Sequence, residues 1–210
     1  MIFFNFLLSF YLSFSSLSAS HEKVERVLVS AARDQIGKTI SYNPAYQKIM
    51  YPNGDVGIRE GVCTDVIVRA FRNAFCLDLQ KLVHVDKKIN LTKYPNSWNS
   101  SKTDTNIDHR RVPNLMYFFK THGMQVQGKA YIPGDIVVWD LGGGVLHIGI
   151  LSDSNFSLLR TLVNFSSKNP LVIHNISSGV KEEDILYDYK IIAHYRINWK
   201  IIQKLRELQK

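Results

Sequence analysis

The chain has 210 residues, is 45% hydrophobic, and carries 26 Lys and Arg against 18 Asp and Glu, a formal charge of +8. That supports one domain with a real core, or one domain plus appendages. Two cysteines are too few for a disulfide-held scaffold, and dispersed basic residues with no aromatic-and-basic strip argue against a nucleic-acid platform.

Residues 2–17, IFFNFLLSFYLSFSSL, form the strongest apolar run, followed by small residues at Ser18, Ala19 and Ser20. Residues 1–20 therefore read as a cleaved export segment, although no Lys or Arg precedes the apolar stretch. The expected location is periplasmic or secreted, with anchoring through 2–17 if the segment stays uncleaved. All charged residues lie beyond it, so an exported basic chain points to an anionic partner in the cell wall or at the membrane surface.

From Glu22 to Ile36, Val24, Val27, Leu28, Ala31 and Gln35 recur at helical spacing, and Gly37 supplies a stop. Residues 38–61 read as an ordered loop that Tyr42, Tyr46 and Tyr51 pin down or use to line a groove. Gly61 leads into a helix over 62–75 with an apolar stripe of Val62, Val66, Ala70 and Ala74, widened by Ile67, Phe71 and Phe75. The sulfurs of Cys63 and Cys76 would lie about 20 Å apart along that helix, too far for a disulfide. Cys76 is expected to be a small buried hydrophobe.

Residues 76–112 read as mostly irregular, with a long loop at 84–112 of the kind that often carries function. Pro113 opens a short helix ended by Gly123. Strand character follows at Ile136–Trp139, His147–Leu151, Leu171–Asn175 and Ile191–Arg196, the first after a Pro133-Gly134-Asp135 turn. Helices first and strands afterwards predict an α+β domain over 21–196 built on an antiparallel sheet. Residues 197–210 read as a basic amphipathic helix with Ile197, Ile201, Leu205 and Leu208 on one face. Packing on its own domain is the expected use, with membrane contact as the alternative.

The chemistry centres on Cys63 and His147. A helix start favours a thiol's anion through its dipole and free amides, which can also hold an oxyanion. His147 follows three glycines, and strand alternation puts it with Gly149 and Leu151, opposite Ile148, Ile150 and Ser152. His174, on the next apolar run, is placed to orient the far nitrogen of His147; Asn175 is its alternate but should face the other way. Each of these also has a purely structural reading as a small core residue or a satisfied histidine. Asp108, His109 and Arg110, with Arg111, Trp98, Tyr94 and Asp104 in the same loop, form either a solvated charge cluster or a grip for a carboxylate-bearing ligand. Asp65 and Tyr51 complete the substrate-binding candidates. A metal site drawn from Cys63, His84, His109, His147 and His174 lacks any His-x-x-x-His or Cys-x-x-Cys spacing, so no metal or other cofactor is expected.

The segments AARDQIGKTISYNPAYQKIMYPNGDV, GVCTDVIVRAFRNAFCLDLQKLVHVD, TNIDHRRVPNL, PGDIVVWDLGGGVLHIGI, VIHNISSG and IIAHYR closely resemble a bacterial domain-of-unknown-function family, number 1287, from about residue 24 to 196. More distantly, GVCTDVIVRAF, PGDIVVW with LHIGI, and VIHNI resemble the cysteine helix and histidine strands of NlpC-type, papain-like cell-wall peptidases. That resemblance implies a papain-like fold with N-terminal helices on a small antiparallel sheet, Cys63 as nucleophile, His147 as base and His174 as orienting residue. It also implies cleavage of an amide in a peptidoglycan stem peptide. Val62 stands where those enzymes have aspartate, and Thr64-Asp65 where they have serine-glycine. The alternatives are a non-catalytic envelope-binding domain, or an acyltransferase or amidase acting on another peptide.

Overall fold

The computed structural model describes residues 24–96, 102–154 and 169–210. The expected export segment and Trp98 fall outside them.

Helix α1 covers 24–33 and buries Leu28, Val29 and Ala32 completely. It is tied to its neighbour by Gln35, whose Nε2 donates to the Val66 carbonyl at 3.0 Å. Two short strands, β1 (Ser41–Tyr42) and β2 (Glu60–Gly61), pair in parallel and bracket the tyrosine-containing loop. Helix α2 (Cys63–Phe75) follows at once, with Val66, Ile67, Ala70 and Phe71 buried as its spacing predicts. It ends at Cys76, which takes the left-handed conformation (φ 56°) and is exposed. The expectation of a buried Cys76 is therefore corrected: it terminates the helix instead of packing under it.

Helix α3 (Leu79–Ile89) overturns the reading of 76–112 as mostly irregular. Asp78 caps it, accepting from the Gln80 amide at 3.1 Å, and Leu79, Leu82 and Val83 form its buried face. A capping aspartate before that stripe was the local signal; the irregular stretch begins only at Asn90. Helix α4 (Val112–Thr121) carries Pro113 in its first turn and buries Leu115, Phe118 and Phe119.

The sheet comprises β3 (Ile136–Asp140), β4 (Leu146–Leu151), β5 (Val172–Asn175), β6 (Val180–Glu183) and β7 (Lys190–Tyr195). Its order is β6-β5-β4-β3-β7, antiparallel throughout, so the architecture is α+β. The two faces differ. Ile136, Val138, Ile148, Ile150 and Ile173 join the helices in the main core. Val137, Trp139, Leu151 and Val172 form a smaller cluster under Leu186, whose carbonyl accepts from Trp139 Nε1 at 2.9 Å. Asp135 of the predicted turn accepts from the Ile132 amide (2.8 Å), His194 Nε2 (2.6 Å) and Arg196 (2.7 and 2.9 Å), pinning β7 to β3.

Helix α5 (Trp199–Gln209) docks on α3 through Ile201, Ile202 and Leu205; Leu208 is half exposed, so the stripe turns toward Ile202. Gln209 Oε1 accepts the Asp78 amide at 2.6 Å. No described helix is long and apolar enough to cross a membrane.

Candidate active site

Cys63 is the first residue of α2, and the residues around it hold that helix start rigidly. Asp65 reaches back to accept the Val62 amide at 2.6 Å, the carboxylate half of a capping box. Its two oxygens also receive Arg110 Nε and a terminal guanidinium nitrogen, each at 2.9 Å, in a planar fork. Thr64 donates its hydroxyl proton to the Arg110 carbonyl at 3.0 Å. Thr64 and Asp65 thus clamp the 108–110 segment against the helix. A Cβ on Gly61 would come 3.0 Å from Asp65 Oδ2, so the close approach of this strut requires glycine there.

The candidates for substrate binding therefore need revision. Asp65 is 4% exposed and fully engaged as a strut. Asp108, buried, accepts from Lys87 Nζ at 2.6 Å and from the Asp104 amide at 2.7 Å, holding the loop on α3. His109 is also buried, and that burial pushes its imidazole down to about 3. Neither Asp108 nor His109 lines the cavity at Cys63. Tyr51 packs edge-on against His84, 5.2 Å between ring centres, and is absent from the cavity too. Tyr94 and Asp104 brace the loop, through Asp86 (2.6 Å) and Tyr46 (3.0 Å). Of Asp65, Tyr51, Asp108, His109 and Arg110, Arg110 alone borders the cavity.

That cavity, about 190 Å³, is lined by Cys63, Tyr42, Arg110, Arg111, Leu146 and Gly144 among others. Arg110 brings a second terminal nitrogen that is buried without a hydrogen-bond partner. Tyr42, not Tyr51, is the tyrosine at the thiol. Burial pushes its phenol up to about 12, with the Asp65 carboxylate adding and Arg110 opposing. A parallel pairing of two-residue strands brings Tyr42 opposite Gly61, and no local sequence pattern announces so short a pairing.

The sheet supplies the histidines. His147 and His174 share the face of Trp139 and Val172, while Ile148 and Ile150 face α2, as alternation predicts. His147 Nε2 lies 3.0 Å from His174 Nδ1, and His174 Nε2 lies 3.1 Å from Glu183 Oε2. Asn175 faces the other way, as expected, and donates to the Gly61 carbonyl at 3.0 Å, steadying the approach to Cys63.

Thiol and imidazole approach the sheet from opposite faces, Cys63 with the helices and His147 with Trp139, beside a gap between β4 and β5. The Leu151 amide points to β3 and the Ser152 amide to the β5 side, so alternation aims the Ile148 amide at β5. The β4–β5 ladder, however, pairs only Ile150 with Ile173 and Leu151 with Val172. Where β5 has parted, the Ile148 amide is directed at the Cys63 sulfur, as are the amides of Thr64 and Cys63 itself. Cys63 enters this opening from the helix side, and the histidine pair spans it from the other face. Both groups are neutral at rest. Burial pushes the Cys63 thiol up to about 12, with Asp65 adding and the three amides opposing. Burial, then the neighbouring His174, holds His147 down at about 3.

Among the described residues no group of three or more His, Cys, Asp or Glu side chains could hold a metal ion. Glu183 and Leu146 were missed in the sequence; the alternating VKEE of β6 carries no sign of which strand it will face.

Comparison with known proteins adds a family but no chemistry. Residues 29–197 match the family described as Domain of unknown function (DUF1287), a span that includes every residue of the site from Tyr42 to Glu183. The chain is also 46% identical over 173 residues to the Uncharacterized protein YijF of Escherichia coli (strain K12), covering 80% of each.

Proposed function

This chain belongs to the DUF1287 family, and we propose that it is an exported cysteine hydrolase of papain-like, NlpC type that cleaves an amide bond in a peptidoglycan stem peptide. One observation carries the reading. A thiol at a helix start, bordering a cavity, receives the amide next to His147, whose imidazole is in turn held by His174.

In the proposed reaction the peptide carbonyl enters beside Cys63, with Tyr42, Arg110 and Arg111 around it. His147 takes the thiol proton as sulfur bonds to the carbonyl carbon, and the helix-start amides hold the oxygen that becomes negative. His147 then gives that proton to the leaving amine as the carbon–nitrogen bond breaks. Water, deprotonated by the same imidazole, releases the acid and restores the thiol. Because both groups start neutral, proton transfer accompanies attack instead of preceding it. Arginines around the thiol suit a peptide bearing a carboxylate near the scissile bond.

The buried, protonated thiol favours a second reading, a non-catalytic domain that binds the cell envelope. Two measurements separate them. Purified peptidoglycan incubated with the wild type should yield new peptides heavier by one water, and Cys63→Ala should lower that rate by at least about 10³-fold. Equal digestion by both proteins would eliminate Cys63 as nucleophile. Products that gain an amine instead of water would identify an acyltransferase.

A further inference from the structure

We infer that Glu183 is a positioning residue that sets the protonation of both histidines, so that His147 presents Nδ1 as its basic atom. The inference deepens the cysteine-hydrolase reading and rests on it for its catalytic meaning, but the proton placement follows from the chain of contacts alone.

A carboxylate only accepts hydrogen bonds. Glu183 Oε2, 3.1 Å from His174 Nε2, therefore requires the neutral His174 to carry its proton on Nε2. That leaves a lone pair on His174 Nδ1. His147 Nε2 faces this lone pair at 3.0 Å, so His147 must donate, and its own proton sits on Nε2. Nδ1 is then the single unprotonated nitrogen of His147. Without the carboxylate, His174 is free to place its proton on Nδ1 and donate to His147. The proton of His147 would move to Nδ1, and the base toward a thiol would be lost. One acidic side chain two contacts away decides which atom can accept a proton.

The placement of Glu183 suits this role. It lies on the edge strand β6, on the face of His174, because Val172 pairs with Glu183 and His174 with Lys181. Lys181 resists a charge on His174, while Glu183 favours one. The Glu183 side chain is 40% exposed, so replacing it opens no hole in the core. No sequence motif marks it, since the contact exists only through the β5–β6 register.

Long-range nitrogen–proton NMR of isotope-labelled histidine reads the tautomers in the resting protein. Wild type should show both His147 and His174 protonated on Nε2. Glu183→Ala should shift a substantial fraction of both toward Nδ1–H, whereas Glu183→Gln, whose amide oxygen still accepts, should keep the wild-type pattern. On peptidoglycan fragments Glu183→Ala should lower kcat at least tenfold with KM little changed, against roughly 10⁴-fold when a triad histidine is held in the wrong tautomer. Glu183→Gln should recover most of that rate. Nδ1–H on His147 in the wild type, or unchanged tautomers in Glu183→Ala, would overturn the inference. The tautomers are read without turnover, so an error here and an error in the role of Cys63 fail in different experiments.

Discussion

Gly149 is the position where one methyl group would disturb the site most directly. It stands on the histidine face of β4, and a Cβ there would lie 2.6 Å from Val172 Cγ1 and 3.2 Å from His174 Cβ. Val172 is buried and β-branched, so it has no easy rotamer to yield. The strain instead falls on the separation of β4 and β5, and so on the His147–His174 contact. Gly149→Ala should cost about 1–3 kcal/mol of stability, as overpacking does. It should also lower hydrolysis more than a surface variant of equal stability. Urea unfolding beside a rate measurement checks both, and a fully active, fully stable Gly149→Ala protein would contradict the packing argument. Asp65 teaches the same lesson from the opposite direction. Beside the cysteine it reads as a substrate group, yet its oxygens are spent on Val62 and Arg110.

At the scale of elements, α2 and α3 reach their positions by different means. The apolar stripe of α2 is continuous and legible, and its start is fixed by contacts from 43 to 175 in sequence. Helix α3 is shorter and depends on Asp78, which does more than cap. Its carboxylate accepts from Gln80 at 3.1 Å and from the Asn53 amide at 2.7 Å, while its own amide donates to α5. Asp78→Ala removes a cap, worth about 0.5–2 kcal/mol, and strands the Asn53 donor for about 1–3 more. A loss of roughly 1.5–5 kcal/mol in urea unfolding is expected, with little change in alkylation of Cys63, because none of these contacts touches the thiol. A loss within 0.5 kcal/mol would show that α3 is held by its apolar face alone. The 108–110 segment is held just as firmly, through Lys87 and Asp65, so the long loop is anchored where it meets the site.

Across the whole molecule, buried imidazoles and engaged carboxylates make stability depend on pH in two stages. His109 and His147 are held down to about 3 by burial, from an ordinary value of 6.5. Between those values the unfolded chain binds protons that the folded chain does not, so stability falls as pH drops below about 6.5. Asp55, Asp86, Asp104 and Asp135 are likewise held below the usual carboxylate range by their partners, and Glu182 sits at about 2. Their contribution is present above about 4 and disappears as the pH falls further. Tm should therefore decline by on the order of 10 °C between pH 7.5 and 5, before the carboxylates titrate. His109→Asn should remove about half of that first stage, leaving the part due to His147. A Tm unchanged from pH 7.5 to 5 would mean that the two imidazoles are not buried as neutral groups in solution.

The sequence by itself determined what local periodicity and residue chemistry can carry. The stripe of α2, the alternation of β4, the turn before β3 and the opposed directions of His174 and Asn175 all follow from spacings of a few residues. Only the tertiary structure decided which polar groups face the cavity and which hold the frame. Tyr42 replaced Tyr51 through a two-residue parallel pairing, Asp108 and His109 turned inward to α3, and Glu183 met His174 through strand register. Those outcomes depend on where β5 parts from β4 and on which strand lies beside which. Side-chain contacts across such distances in sequence leave no period along the chain, so no window of neighbouring residues contains them.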